Sequence, residues 1–219
     1  MAIISLDNVT KIFGTRTILN NINFSVDEGS IVTIMGESGA GKSTLLNILG
    51  LLDAPTYGKV AIYDMPITNQ YDRDLFRNRY LGFVFQSYNL IPRLTVYENI
   101  VLPIYYSRLT NKKEKINEVP NLIRRFNLET ISNNFVDHIS GGEKQRVCLA
   151  RALSCDVPVL ISDEPTGNLD QYNKQVVLEE FKKINNEGKT VIIVTHDTIV
   201  ENIATERFII SNGRVQRHE

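Results

Sequence analysis

Ile31-Val32-Thr33-Ile34-Met35-Gly36-Glu37-Ser38-Gly39-Ala40-Gly41-Lys42-Ser43-Thr44-Leu45-Leu46-Asn47-Ile48-Leu49 passes from an apolar, β-branched run through a glycine-rich turn into a leucine-rich helical pattern. Strand, glycine turn and helix in that order form the context in which a backbone cradles polyphosphate. The glycines let consecutive N–H groups turn inward, and the helix adds its unpaired N–H groups and the positive end of its dipole. Gly36, Ser38, Gly39, Ala40, Gly41 and Thr44 are therefore expected to line a nucleotide. Lys42 brings a point charge to its terminal phosphates, and the Ser43 hydroxyl is placed to ligand the accompanying Mg²⁺.

Working outward, 219 residues with 42% hydrophobic content suffice for one domain with a sizeable core. A net charge of −1, with both signs interspersed, encodes no broad attraction to nucleic acid or anionic membrane. No apolar run approaches the ~18 residues of a membrane span, and Met1 to Asp7 lacks the basic start and cleavage site of a signal peptide. A cytosolic chain is expected. Cys148 and Cys155 fall about two turns apart on a predicted helix and its frayed end, some ~10 Å by helix rise, too far for a disulfide.

Ile3 to Phe13 and Ile22 to Val26 alternate as half-buried antiparallel strands do. Lys59 to Tyr63 and Leu81 to Phe85 read as strands, and Asp72 to Tyr80 as a polar helix. From Ser87 to about Val157 the pattern turns helical, with segments Thr95–Tyr106, Lys112–Phe126 and Gly141–Leu153; Pro120 predicts a break or kink in the second. Val159–Ser162 and Thr190–Val194 are continuous apolar runs of buried parallel strands, separated by a helix from Gln171 to Asn186 with Gly188 at its C-terminal end. Asn212-Gly213 marks a hairpin between Arg207–Ile210 and Arg214–Gln216. The pattern is α/β: a mostly parallel nucleotide-binding core with an antiparallel part over 1–86 and 158–219, and an inserted helical part over 87–157.

Asp163-Glu164 closes one apolar strand, and Thr195-His196-Asp197 closes the next. At the C-terminal edge of a parallel sheet, Asp163 can hold Mg²⁺ and Glu164 can polarise an attacking water as general base. His196 can sense the γ-phosphate by hydrogen bonding. Taken alone, the two carboxylates read as surface or helix-start charges and His196 as a strand-end polar residue. The upstream phosphate loop reverses that weighing. His138 and His218 read as exposed polar residues, and Lys112-Lys113-Glu114-Lys115 as a solvated helix start.

With the phosphate loop, Gln86, Ile139-Ser140-Gly141-Gly142-Glu143-Lys144-Gln145-Arg146, Asp163-Glu164, Gly167-Asn168-Leu169-Asp170 and His196 in this order and spacing, the whole chain resembles the nucleotide-binding subunit of an ATP-binding cassette (ABC) transporter. The resemblance implies the ABC ATPase fold built on a P-loop NTPase core, and a head-to-tail dimer of two copies with ATP and Mg²⁺ sandwiched between the phosphate loop of one and Ser140, Gly141 and Gly142 of the other. It implies Gln86 as a catalytic residue and further metal ligand, Asp170 at the dimer interface coupling the two sites, and Phe13 stacked on adenine. The segments Tyr80–Pro92 and Leu94–Pro103 resemble more narrowly the macrolide-export, lipoprotein-release and antimicrobial-peptide-resistance subfamily, and the cell-division cassette. That likeness implies a separate membrane permease with four spans and a large extracytoplasmic domain, no nucleic-acid partner, and a peripheral place on the inner face of the membrane. The apolar loop Tyr88–Pro92 then reads as a docking surface. Ile139 stands for the common leucine, Ala40 for a frequent serine, and Glu37 puts a negative charge on the phosphate loop, so its side chain is expected to point away from the phosphates. The alternative is a cassette ATPase without transport, a division regulator or iron–sulfur assembly scaffold. The long coiled-coil insertions, extra zinc-binding cysteines or paired cassettes that nucleic-acid-associated members usually show do not appear in this sequence.

Overall fold

The computed structural model describes residues 1–167 and 169–218. Two sheets carry the fold. The first is antiparallel, in the order β2 (Arg16–Asp27), β1 (Ala2–Phe13), β4 (Tyr57–Ile62) and the short β5 (Met65–Pro66). The second has the order β10 (Arg214–Arg217), β9 (Glu206–Ser211), β3 (Ile31–Met35), β8 (Thr190–Thr195), β7 (Val159–Asp163) and β6 (Leu81–Val84), parallel except for the β9–β10 hairpin. Strands β3, β7 and β8 are nearly continuous in buried residues, as both faces of the sheet are covered.

Two apolar clusters occupy the two faces. One gathers α1 (Lys42–Leu49) through Leu45, Leu46, Ile48 and Leu49 with the antiparallel sheet and Val32, Ile34, Ile192 and Val194. The other joins Ile31, Leu160, Val191 and Ile193 to α3 (Val96–Tyr106), α4 (Lys112–Arg125), α5 (Gly141–Leu153) and α6 (Gln171–Asn186). Alternation along β3 and β8 divides their side chains between the clusters, so the same strands anchor the phosphate-loop helix and the helical segment. The polar helix α2 (Gln70–Tyr80) buries no residue fully and leads directly into β6. Over 87–157 the described backbone holds helices, two 3-10 turns and one isolated bridge, Thr95 to Phe135.

Two expectations need correction. Helix α4 continues through Pro120 instead of breaking there. Proline removes the N–H that the Ile116 carbonyl would otherwise accept from, while the Pro120 ring itself sits on the exposed face of the helix. Strand β2 begins at Arg16, six residues before the alternation at Ile22 that marks it in the sequence. Its first half is mostly exposed and pairs with β1 through shifted register, Phe13 opposite Arg16 and Lys11 opposite Leu19. Bulges of this kind erase the two-residue period.

Of the loop Tyr88–Pro92, Tyr88 and Leu90 pack against the core while Ile91 stays 41% exposed. The loop is clamped by a fully buried amide: Asn99 Oδ1 accepts from Ile91 N–H at 2.8 Å, and Nδ2 donates to the carbonyls of Ile91, Leu94 and Thr95 at 3.2, 3.2 and 3.0 Å. Asn99→Leu keeps the branched outline of the side chain, although its methyls are bulkier, and removes the partner of those groups. It is expected to lower unfolding free energy by about 1–3 kcal/mol, measured by urea denaturation; unchanged stability would show that the clamp contributes nothing.

Candidate active site

Gly41 stands at the N-cap of α1 with φ 105°, a backbone region that disfavours side chains, and lies against Ile18 and Leu19 of β2. This geometry sets Lys42, Ser43 and Thr44 at the open end of the helix, facing a cavity of about 400 Å³. Ser38, Gly39, Gly41, Lys42, Ser43, Thr44, Gln86, Asp163 and Glu164 line it, joined by Arg16 and Ile18. Four separate stretches of sequence therefore meet at one sheet edge, as the parallel order of β3, β7 and β6 requires. The Lys42 ammonium donates to the Gly36 and Glu37 carbonyls at 2.6 and 3.0 Å.

Gly36, Glu37 and Ala40 line a second cavity on the other side of the loop, with Asn212 and Gly213 of the β9–β10 turn. Glu37 is exposed and does not line the Lys42 cavity. Phe13 is 52% exposed at the tip of the β1–β2 hairpin, opposite Arg16 of the cavity wall, with Lys11 Nζ 4.8 Å from its ring centroid. Arg16 and Ile18 escaped the sequence reading because their strand segment has no buried periodicity.

At the far wall, burial and the neighbouring Glu164 push the Asp163 carboxyl up, and the Lys42 ammonium pulls it back only in part. Glu164 has φ 47°, a left-handed conformation costing roughly 1–2 kcal/mol in a residue with a side chain. Its Oε1 meets His196 Nδ1 at 2.8 Å, and its Oε2 accepts from the His196 N–H at 3.2 Å. His196, expected as a sensor of the γ-phosphate, does not line the Lys42 cavity and is instead joined to Glu164 beside it.

Ser140, Gly141, Gly142 and Asp170 do not line this cavity. Ser140 caps α5: its Oγ accepts from the Glu143 N–H at 3.4 Å, while its own N–H and hydroxyl donate to Glu143 Oε2 at 2.7 and 2.6 Å. Those bonds hold the Glu143 carboxyl below its usual range. Asp170 caps α6, Oδ1 accepting from the Asn173 N–H and Oδ2 from its amide at 2.9 and 2.7 Å. Both helix starts are adjacent, since a Cβ on Gly142 would come within 2.6 Å of Asn173 Oδ1. Asn168, between them in the sequence reading, lies outside the described residues. Arg151, on the same helix as the Ser140 cap, donates to the Asn89 and Tyr88 carbonyls at 2.6 and 2.7 Å, bolting the segment after Gln86 onto α5.

The family model described as "ABC transporter" matches residues 19–167. The chain belongs to the ABC transporter family. It is the ATP-binding, ATP-hydrolysing subunit of such a transporter. An uncharacterised ABC transporter ATP-binding protein of Thermotoga maritima is 42% identical over 98% of this chain and 94% of its own length. The lipoprotein-releasing system ATP-binding protein LolD of Aquifex aeolicus is 41% identical over 97% of this chain and 96% of its own. The dimeric structure of the cassette MJ0796, from Methanocaldococcus jannaschii, superposes with a TM-score of 0.89 at 38% identity, covering 99% of this chain and 97% of that one. A second dimeric structure of that cassette, in a post-hydrolysis state bound to ADP and Pi, gives 0.86 at 36% identity over the same shares. Among the described residues of this ABC subunit, no helix is long and apolar enough to cross a membrane.

Because the Ser140 capping box is an internal feature of the single chain, Ser140→Ala is expected to cost about 1 kcal/mol of stability without nucleotide. Thermal melting of the nucleotide-free protein checks this, and an unchanged midpoint would contradict the cap.

Proposed function

We propose that two copies of this chain close head to tail on MgATP, that hydrolysis reopens them, and that a separate membrane permease follows the movement. One observation carries the reading: the Ser140 and Asp170 helix starts stand together outside the cavity that Lys42, Gln86, Asp163 and Glu164 line. A helix start offers N–H groups and a positive dipole end to a phosphate. A second copy, turned end for end, would bring Ser140, Gly141 and Gly142 to the γ-phosphate and Asp170 to the seam. The dimeric structures of MJ0796, one of them bound to ADP and Pi, support the pairing of two copies.

Within each half, Lys42 and the loop N–H groups bind the terminal phosphates, and Phe13 offers its face to the adenine beyond Arg16. The Ser43 hydroxyl, Gln86 amide and Asp163 carboxylate supply hard oxygen donors suited to Mg²⁺. The upward push on Asp163 fits a carboxylate awaiting a cation. Bound Mg²⁺ would neutralise charge on the β- and γ-phosphates. Glu164 takes a proton from the attacking water, and His196 turns to hydrogen-bond the γ-phosphate.

The permease is proposed to seat a cytosolic helix in the groove of about 380 Å³ between β6 and the helical segment, lined by Leu52, Phe83, Phe85, Tyr106 and Arg151. Continuity with the Gln86 segment through Arg151 favours that place. The likeness to LolD proteins supports lipoprotein release; export of peptides or macrolides, and a four-span permease with a large outer domain, are proposed on the resemblance of Tyr80–Pro92 and Leu94–Pro103 alone.

Glu164→Gln is expected to bind MgATP as the parent does and to lose turnover by about 100-fold or more; parental turnover in a coupled phosphate-release assay would remove Glu164 as general base. Lys42→Ala is expected to weaken ATP binding by about 1.5–3 kcal/mol, read by calorimetric titration. Equal affinity would refute the phosphate-binding role. For the permease, tagged Glu164→Gln purified in mild detergent with MgATP should retain a four-span protein identifiable by mass spectrometry; recovery of soluble partners alone would favour the scaffold alternative.

A further inference from the structure

Glu164 is held by a residue that no motif singles out. Thr195 ends β8 and is fully buried. Its Oγ1 donates to Glu164 Oε2 at 2.8 Å and accepts from the Asp197 N–H at 3.0 Å. A hydroxyl has one proton. The Asp197 N–H can only donate, so the hydroxyl proton is committed to the carboxylate. The other carboxylate oxygen has a different kind of neighbour: Oε1 faces His196 Nδ1, on a side chain 68% exposed. One oxygen is fixed from within the sheet, the other touches a ring with room to turn.

Asp197 is itself anchored. Its Oδ2 accepts from Thr166 Oγ1 at 2.9 Å and Lys174 Nζ at 2.6 Å, and Oδ1 accepts from the Ile199 N–H at 3.2 Å. Thr166 is fully buried two residues beyond Glu164, and Lys174 lies in the first turns of α6. Burial alone would push the Asp197 carboxyl up; the bonds from Lys174 and Thr166 outweigh it and keep the group below its usual range. The end of β8, the loop bearing Glu164 and the start of α6 thus close a ring of hydrogen bonds around Thr195. That ring supports the left-handed backbone at Glu164.

We infer that Thr195 is a positioning residue for ATP hydrolysis, its hydroxyl fixing Oε2 of Glu164 so that Oε1 is presented to the attacking water when His196 turns to the γ-phosphate. In that step the water O–H bond breaks toward Oε1, the water oxygen bonds the γ-phosphorus, and the bridging oxygen leaves with ADP. The inference rests on the reading of Glu164 as general base.

Three variants of the full chain test it: Thr195→Val, which keeps the shape and removes the proton, Thr195→Ser, which keeps the proton, and Glu164→Gln as reference. Thr195→Val is expected to lower kcat by about 10- to 100-fold, with KM for ATP and MgATP affinity held within about twofold of the parent. Thr195→Ser is expected to recover most of kcat, although it removes a buried methyl and melts lower. In the Glu164→Gln background, Thr195→Val should cause no further loss. Parental kcat in Thr195→Val, or equal loss in the Val and Ser variants, would overturn the inference while leaving Glu164 in its role, provided Glu164→Gln has lost turnover. Parental turnover in Glu164→Gln would overturn both.

Discussion

Lateral hydrogen bonding among β3, β8 and β7 is the constraint on which everything at the site depends. The three strands run parallel, with Met35 opposite Thr195 and Asp163 opposite Val194. The chain therefore leaves all three at one level of the sheet edge. Phosphate loop, Asp163-Glu164 and His196 emerge side by side, although 128 residues separate Met35 from Asp163 in the sequence. A parallel sheet needs crossovers, and its strands must be buried on both faces. The two apolar clusters supply that burial. Stability of the core and convergence of the chemical groups are thus one requirement.

The helix starts form a second theme. Unpaired N–H groups at the beginning of a helix must find acceptors, and this chain solves the problem in two ways. At α5 and α6 the acceptors are internal, Ser140 with Glu143 and Asp170 with its neighbours. At α1 no side chain caps the helix, and the glycine at its head leaves the N–H groups open. The uncapped start lies in the Lys42 cavity; the capped ones lie outside it. Under the two-copy reading, capped and uncapped starts face each other across one nucleotide, and the Ser140 hydroxyl exchanges its Glu143 contact for a phosphate.

Much of this was legible in the sequence, for physical reasons that differ from element to element. Strands β3, β7 and β8 read clearly because double-sided burial leaves unbroken β-branched runs. Helices α5 and α6 were bounded to the residue because Ser140 and Asp170 are caps with visible partners three positions on. The alignment of Lys42, Gln86, Asp163 and Glu164 followed from strand ends on one edge. What stayed hidden lacks a local signal. The exposed, bulged half of β2 carries no period, so Arg16 and Ile18 went unnoticed. Pro120 misled because its effect depends on which face meets water. Thr195 looks like one more β-branched strand residue, and only the tertiary approach of Glu164 gives its hydroxyl a task.

The account's central claim is that the site in one copy is completed by another, and particle mass tests it most directly. Light scattering of the Glu164→Gln chain after size exclusion, with and without MgATP, compares the two states under conditions where bound ATP persists. The account predicts one chain per particle without nucleotide and two with it. A single-chain mass at saturating MgATP would contradict it and would require the nucleotide to be served by one copy alone.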